Sequence, residues 1–168
     1  MTGVAPQQSY GHEVNGASPT QTHDMRVNLK AATHFGGSQS CITTTLAWLF
    51  GPVADPGVKN FTQQLDAWVL VWAGLDAIDK RATRRTWAIA LGKVLWGSRF
   101  NRPKGPIEAT IAALLHLGWK PSAPDQWEVD DETRVRLDGK VITRFQVTAR
   151  AQEDAQKSLA KGIGAPVQ

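Results

Sequence analysis

The sequence contains almost no cysteine and no long apolar run, and both absences narrow what the chain can be. Cys41 is the single cysteine, so no disulfide can form within the chain, and a reducing compartment (cytoplasm or nucleus) is expected. The N-terminus lacks the charged-then-apolar pattern of a signal peptide. The longest apolar stretches, such as 68–74, are far too short to span a bilayer. The sequence therefore predicts an intracellular protein with no membrane partner.

The residue patterns that most enzymes need are also missing. Cys41 precedes an apolar helix, but no candidate base stands out, so a buried structural cysteine is the favoured interpretation. His12, His23 and His34 recur at even intervals, but metal sites usually group their ligands at shorter spacings. Scattered loop histidines are therefore favoured over a metal site shared with Cys41. The sequence predicts no catalytic site, no cofactor and no bound metal.

A cluster of carboxylates is the nearest approach to an active site. Its members are Asp125, Glu128, Asp130, Asp131 and Glu132. Paired carboxylates can hold magnesium for phosphoryl transfer, which keeps a small metal-dependent nuclease as a less favoured hypothesis. The run 128–131 lacks the aromatic residue of the comparable polymerase pattern, and no partner carboxylate is indicated on another strand. A charged hairpin turn is therefore the better interpretation.

The N-terminal segment is polar and carries few apolar residues. Residues 1–37 are rich in Gly, Gln, Ser, Thr, Asn and Pro, and their apolar residues show no periodicity. Such a segment buries too little apolar surface to offset its ordering entropy, so the sequence predicts a disordered arm. The core must then come from the middle of the chain, where the seven tryptophans lie between residues 48 and 127.

Apolar periodicity predicts a helical bundle over residues 38–120. The first helix follows Ser38 or Ser40, either of which could cap it, and ends at Gly51-Pro52. The third helix runs roughly from Arg81 to Trp96. Both segments carry apolar residues at helical spacing, so each is expected to bury one face.

The second helix has the clearest pattern, with Asn60 as the cap and Gln63 as its capping-box partner. Its apolar residues alternate at steps of three and four, which places them on one face: Phe61, Leu65, Trp68, Trp72 and Leu75. The pair Trp68 and Trp72 fits either a base-stacking platform or a core stripe. Apolar neighbours favour the core.

The fourth helix is bracketed by strong local signals. Gly105 occupies the N-cap position, and Pro106 the first helical position, where a missing amide costs nothing. Gly118 fits the left-handed residue that ends a helix, and Trp119 can fold back onto Leu114 in a Schellman motif. Trp119 is therefore predicted to be structural.

Beyond Pro121 the pattern becomes that of strands. Asp138-Gly139 is the strongest hairpin signal in the chain, and 121–148 is predicted to form a small antiparallel β-meander packed on the bundle, from about Gln126 to Val147. Residues 149–168 are predicted to form a marginal helix and a tail. The expected fold class is mainly α with a small β part, a three- or four-helix bundle followed by a short antiparallel β-meander.

The most informative feature of the sequence is a basic segment with no acidic residue in it. The chain carries a formal charge of +4, which favours acidic partners. The eight cations of the segment are Lys80, Arg81, Arg84, Arg85, Lys93, Arg99, Arg102 and Lys104. Three of them, Arg81, Arg84 and Arg85, share one helical face by their spacing, and guanidinium groups suit bidentate phosphate contacts. The segment predicts a contact surface for RNA or DNA phosphates; the alternative is a solvated face balanced by the acidic stretch 125–132.

Several short motifs in residues 40–140 resemble a segment of LINE-type (non-LTR) retrotransposon polyproteins that lies downstream of the reverse transcriptase. The motifs are Gly105-Pro106-Ile107-Glu108-Ala109, Leu114 to Gly118-Trp119, Pro124 with Trp127 and Asp130-Asp131, and Thr45-Leu46-Ala47-Trp48-Leu49. The resemblance implies an accessory, non-catalytic role that holds nucleic acid or links the polymerase to the next part of the polyprotein. It carries over no catalytic residue. A protein-interaction module with a Trp-rich helical face is the alternative from another class.

Overall fold

The computed structural model describes residues 16–34, 40–96, 103–138 and 140–163, and in them the chain forms six α-helices and one small sheet. The helices are α1 (Pro19–Thr33), α2 (Ile42–Phe50), α3 (Pro56–Gly74), α4 (Ala77–Trp96), α5 (Pro106–His116) and α6 (Val141–Ile163). The strands are β1 (Lys120–Ala123), β2 (Gln126–Glu128) and β3 (Arg134–Arg136), in an antiparallel sheet of that order. The predicted fold class, mainly helical with a small antiparallel β part, is confirmed.

Helix α3 lies at the centre of the core and packs against α1, α5 and α6. Its stripe of Phe61, Leu65, Trp68 and Trp72 is buried, so the interpretation of the tryptophan pair as core is confirmed. The predicted cap is wrong: the carboxylate of Asp55 caps α3 by accepting the N–H of Gly57 at 2.8 Å. Asn60 lies inside the helix, buried.

Helix α1 falls within the predicted disordered arm 1–37, so for these residues the prediction is wrong. Ser18 and Gln21 form a capping box, and Pro19 occupies the first turn. The helix is held mainly by polar groups, since Arg26 Nε donates to Asp55 Oδ1 at 2.8 Å. Such anchoring produces no apolar periodicity, which explains why the sequence pattern missed it. Residues 1–15 and 35–39 lie outside the described residues.

Polar contacts also join α1 to its neighbours α2 and α3. Arg26 Nη2 donates to Thr43 Oγ1 at 2.6 Å, and Asn60 Nδ2 donates to Thr22 Oγ1 at 3.2 Å. Cys41 occupies the N-cap position of α2, in place of the predicted serine caps. Its side chain is exposed, so the expectation of a buried cysteine is wrong.

The end of α5 follows the local signals in the sequence. Gly105 stands at the N-cap position, and Gly118 has a left-handed φ of +83°. The N–H of Trp119 donates to the carbonyl of Leu114 at 2.9 Å, and that of Gly118 to Leu115 at 3.2 Å, which is the hydrogen-bond pattern of a Schellman motif. The predictions of a left-handed Gly118 and of a Schellman motif at Trp119 are confirmed.

The meander begins at Lys120, earlier than predicted. It is also shorter than predicted, because the segment after Asp138 is helical. Asp138 Oδ1 accepts the N–H of Lys140 at 3.0 Å and the hydroxyl of Thr143 at 2.7 Å, so this residue binds the start of α6 rather than opening a hairpin. Gly139 lies outside the described residues. The predicted marginal helix from residue 149 is part of α6, which spans 23 residues.

Helix α6 packs along α3 with a face of small residues. Val147, Ala151 and Ala155 are buried, and Arg144 forms a two-pronged ion pair with Asp66 of α3. This narrow apolar face is sufficient, contrary to the expectation of a marginal helix, because small side chains let the two helices approach closely. The contact is independent of the helix's own propensity.

Candidate nucleic-acid interface

Helix α4 carries five of the eight predicted basic residues. Its inner face buries Trp87, Ala90 and Val94, and Trp87 Nε1 donates to the carbonyl of Pro121 at 3.0 Å. These contacts fix the rotation of α4 against α5 and β1. The opposite face must therefore point into solvent.

Arg81, Arg84, Arg85 and Lys93 are the exposed cations of α4, and of these four Arg84 alone forms an ion pair with a residue that the structure describes. With a rise of about 1.5 Å per residue, Arg81 and Arg85 lie about 6 Å apart along the helix axis, and Lys93 lies about 12 Å farther on. None of the three has an ion-pair partner among the residues that the structure describes. We refer to Arg81, Arg85 and Lys93 as the α4 basic face.

The side chains of Arg84 and Lys80 lie next to the ring of Trp72. Arg84 Nη2 donates to Asp125 Oδ2 at 2.9 Å, and its guanidinium carbon lies 5.2 Å from the ring centroid of Trp72. Lys80 Nζ lies 5.5 Å from the same centroid. Arg84 thus differs from Arg81 and Arg85 in having a carboxylate partner, and joint action of the three on nucleic acid stays a prediction. A helix turns by about 100° per residue, so Arg84 falls at the edge of the exposed face, beside α3 and the sheet.

Of the three remaining predicted cations, the structure describes Lys104. Lys104 is exposed just before the helix, and its backbone N–H donates to Glu108 Oε2 at 2.8 Å. Arg99 and Arg102 lie outside the described residues. The structure therefore places five of the predicted residues on α4 and one beside α5.

The acidic stretch neutralises little of the basic segment. In the described part of the chain, Arg84 with Asp125 is the one ion pair that joins the two segments. Glu128 pairs with Lys120 and Arg134 of the same sheet, and Asp130 pairs with Arg150 of α6 at 3.2 Å. A solvated face balanced by the acidic stretch thus accounts for Arg84 and not for the α4 basic face.

Asp130 serves the turn between β2 and β3. It accepts the N–H groups of Glu132 and Thr133 at 3.1 and 2.7 Å. Hydrogen bonds from Thr133, and then from the N–H of Glu132, lower the pKa of Asp130. Over the described ranges, no group of three or more His, Cys, Asp or Glu side chains could hold a metal ion. The geometry of this turn matches the charged hairpin turn expected from the sequence.

Exposed apolar side chains accompany the α4 basic face. Ile78, Ile89 and Trp96 are 78%, 62% and 93% exposed. Steps of three, four or seven residues relate each of them to Arg85 or Lys93, so they lie on the same side of the helix. The tryptophans of α3, in contrast, are buried and cannot form a docking surface.

Sequence reasoning missed the arrangement around Trp72. Lys80 and Arg84 are four residues apart on α4, and this spacing was the available signal that they share an edge. Their partners Trp72 and Asp125 lie on α3 and in the turn between β1 and β2, and no local pattern connects these segments.

Comparison of the chain with protein-family models, curated proteins and solved structures finds no match. Among the residues described, no helix has the length and apolar character needed to cross a membrane.

Proposed function

We propose that the α4 basic face is a non-catalytic contact surface for the phosphate backbone of RNA or DNA. The observation that carries the proposal is the set of three exposed cations, Arg81, Arg85 and Lys93, without ion-pair partners in the described part of the molecule. Unpaired cations on a rigid helix attract phosphates without losing an internal ion pair. Binding would release counterions from the nucleic acid, and this release supplies most of the affinity of contacts that do not read sequence.

Trp96 favours an unpaired strand as the form that is bound. Its ring is 93% exposed at the end of α4, on the side that carries Lys93. An exposed indole beside cations can stack on an unpaired base, and such stacking contributes about 1–3 kcal/mol per base. A duplex keeps its bases stacked inside the helix and offers none to Trp96.

The retroelement resemblance supports the same function. We propose that the chain is an accessory segment within, or derived from, a retroelement polyprotein, where it would hold nucleic acid near other parts of a reverse transcriptase polyprotein. Residues that carry the resemblance form α5 and its Schellman end, next to α4 in the fold.

The test is a fluorescence-anisotropy titration of labelled single strands and duplexes at fixed low salt. Replacing Arg81, Arg85 and Lys93 by Gln removes three charges while keeping helix propensity, and we expect it to weaken binding by about tenfold or more for unrelated sequences alike. A matched control replaces Lys120, Arg134 and Lys157 by Gln; this also removes three charges, but they come from ion pairs. Equal losses in both variants, or no binding by the wild type, would reject the site.

A protein partner is the second candidate, and it is favoured by the exposure of Ile78 and Ile89 on the same side of α4. Replacing both isoleucines by Gln should then abolish association with that partner and leave nucleic-acid affinity within about twofold. Self-association is the version that can be measured directly, by light scattering over a range of protein concentrations.

A further inference from the structure

An open cleft lies beside the α4 basic face, between the end of α3, the first half of α4 and the end of β3. Its volume is about 400 Å³, and Trp72, Lys80, Arg84, Asp125 and Arg136 line it together with Ala73, Leu137 and Asp138. This volume is within the range of small-molecule sites, roughly 300–1,000 Å³. Cations from α4 and from β3 reach it from different parts of the chain.

The two carboxylates in the lining are already neutralised. Asp125 is paired with Arg84, and Asp138 lies 3.3 Å from Lys140 Nζ and also accepts the backbone N–H of Lys140. Lys80 and Arg136 have no ion-pair partner among the described residues. The cleft therefore keeps two uncompensated positive charges.

Arg84 is held in a fixed orientation at the wall of the cleft. Buried Asp125 binds one N–H of its guanidinium, and the ring of Trp72 lies beneath it. A guanidinium has further N–H donors in the same plane, and the hydrogen bond to Asp125 uses only one of them. The remaining donors can bind an anion with two parallel hydrogen bonds at little cost in side-chain entropy.

We propose that this cleft binds the phosphate monoester of a molecule of nucleotide size. A phosphate monoester carries about −1.5 to −2 charges at neutral pH, which matches the two charges of Lys80 and Arg136. Two of its oxygens can accept hydrogen bonds from the unused donors of Arg84. The volume leaves room for a sugar or a base in addition to the phosphate. The proposal does not rest on nucleic-acid binding by the α4 basic face.

Isothermal titration calorimetry of the full chain with adenosine 5′-monophosphate tests the proposal, with adenosine and inorganic phosphate as comparison ligands. We expect binding of the monophosphate with a Kd below about 1 mM, weaker binding of phosphate, and no binding of adenosine. Substituting Arg136→Gln or Lys80→Gln should weaken binding of the monophosphate by about tenfold. The matched control is Arg134→Gln, two residues away on β3, which pairs with Glu128 and does not line the cleft.

Absence of heat at millimolar monophosphate, equal binding of adenosine, or an equal loss in the Arg134→Gln control would overturn the proposal. Circular dichroism melts of each variant check that the fold is kept, and Lys80 and Arg136 lie at the surface, so stability should change little. Replacing Arg81, Arg85 and Lys93 by Gln should leave monophosphate affinity within about twofold. The cleft and the α4 basic face are thereby tested separately.

Discussion

Trp119 links the end of α5 to α6, and its replacement by alanine should cause a large loss of stability. Its side chain is 1% exposed, and Nε1 donates to Asp154 Oδ2 at 2.9 Å. Truncation of a buried Trp costs about 3–5 kcal/mol through lost burial and the cavity that remains. Asp154 keeps Arg150 and Lys157 as partners, so the lost hydrogen bond adds only about 1 kcal/mol. The expected total is about 4–6 kcal/mol, a large part of a typical domain's stability.

The measurement is urea denaturation monitored by circular dichroism. The free energy of unfolding must fall with urea concentration at the same slope in both proteins for the comparison to hold. Trp96→Ala is the matched control, because the same truncation at a highly exposed ring should change the free energy of unfolding by less than about 0.5 kcal/mol. Trp119→Phe keeps most of the apolar volume, should cost about 1–3 kcal/mol, and remains measurable if the alanine variant does not fold. A Trp119→Ala loss below about 1 kcal/mol would refute the assignment of this ring to the core.

Two further predictions concern α1 and the start of α6. Removal of residues 1–37 should lower the free energy of unfolding by about 2–4 kcal/mol, because it leaves Asp55 without Arg26 and exposes the surface that Met25 covers. Superimposable thermal melts of the full and shortened chains would contradict the docking of α1. The N–H of Lys140 and the hydroxyl of Thr143 lower the pKa of Asp138 from 3.8 to about 2. A carboxyl whose pKa is lowered in the folded state stabilises the fold at pH values above its pKa in the unfolded chain, and this contribution is lost as pH falls from about 4 to about 2. Asp138→Asn should therefore flatten the acid limb of a plot of melting temperature against pH. An unchanged acid limb in this variant would show that the hydrogen bonds of Asp138 do not stabilise the start of α6.

The parts of the fold that the sequence predicts correctly are those with local signals. Gly105 and Pro106 begin α5, and Gly118 with Trp119 ends it, through hydrogen bonds between residues close in sequence. The stripe of α3 is equally local, because its apolar periodicity alone places it in the core.

The parts that the sequence did not predict depend on distant partners. Helix α1 is anchored by Arg26 to Asp55, and α6 by Arg144 to Asp66, so neither shows a wide apolar face. After Asp138 the chain could continue as a hairpin or as a helix, and the helix prevailed because α6 gains a packing surface along α3.

The basic composition of the candidate site could be predicted from the sequence, but the contacts of its individual side chains could not. A run of cations without acidic residues can be seen in the sequence, but the ion pair of Arg84 with Asp125, 41 residues away, cannot. The sheet that brings Asp125 to α4, and Arg136 to the cleft, is set by tertiary packing.

The salt dependence of nucleic-acid binding is the sharpest measure of phosphate contact by the α4 basic face. If the α4 basic face neutralises about three phosphates of a single strand, the logarithm of affinity should fall against the logarithm of salt concentration with a slope near −2, since single strands give about −0.7 per phosphate. Replacing Arg81, Arg85 and Lys93 by Gln should bring this slope close to zero, while the control variant at Lys120, Arg134 and Lys157 should keep it. Equal slopes for the wild type and the Arg81, Arg85 and Lys93 variant would contradict phosphate binding by the α4 basic face.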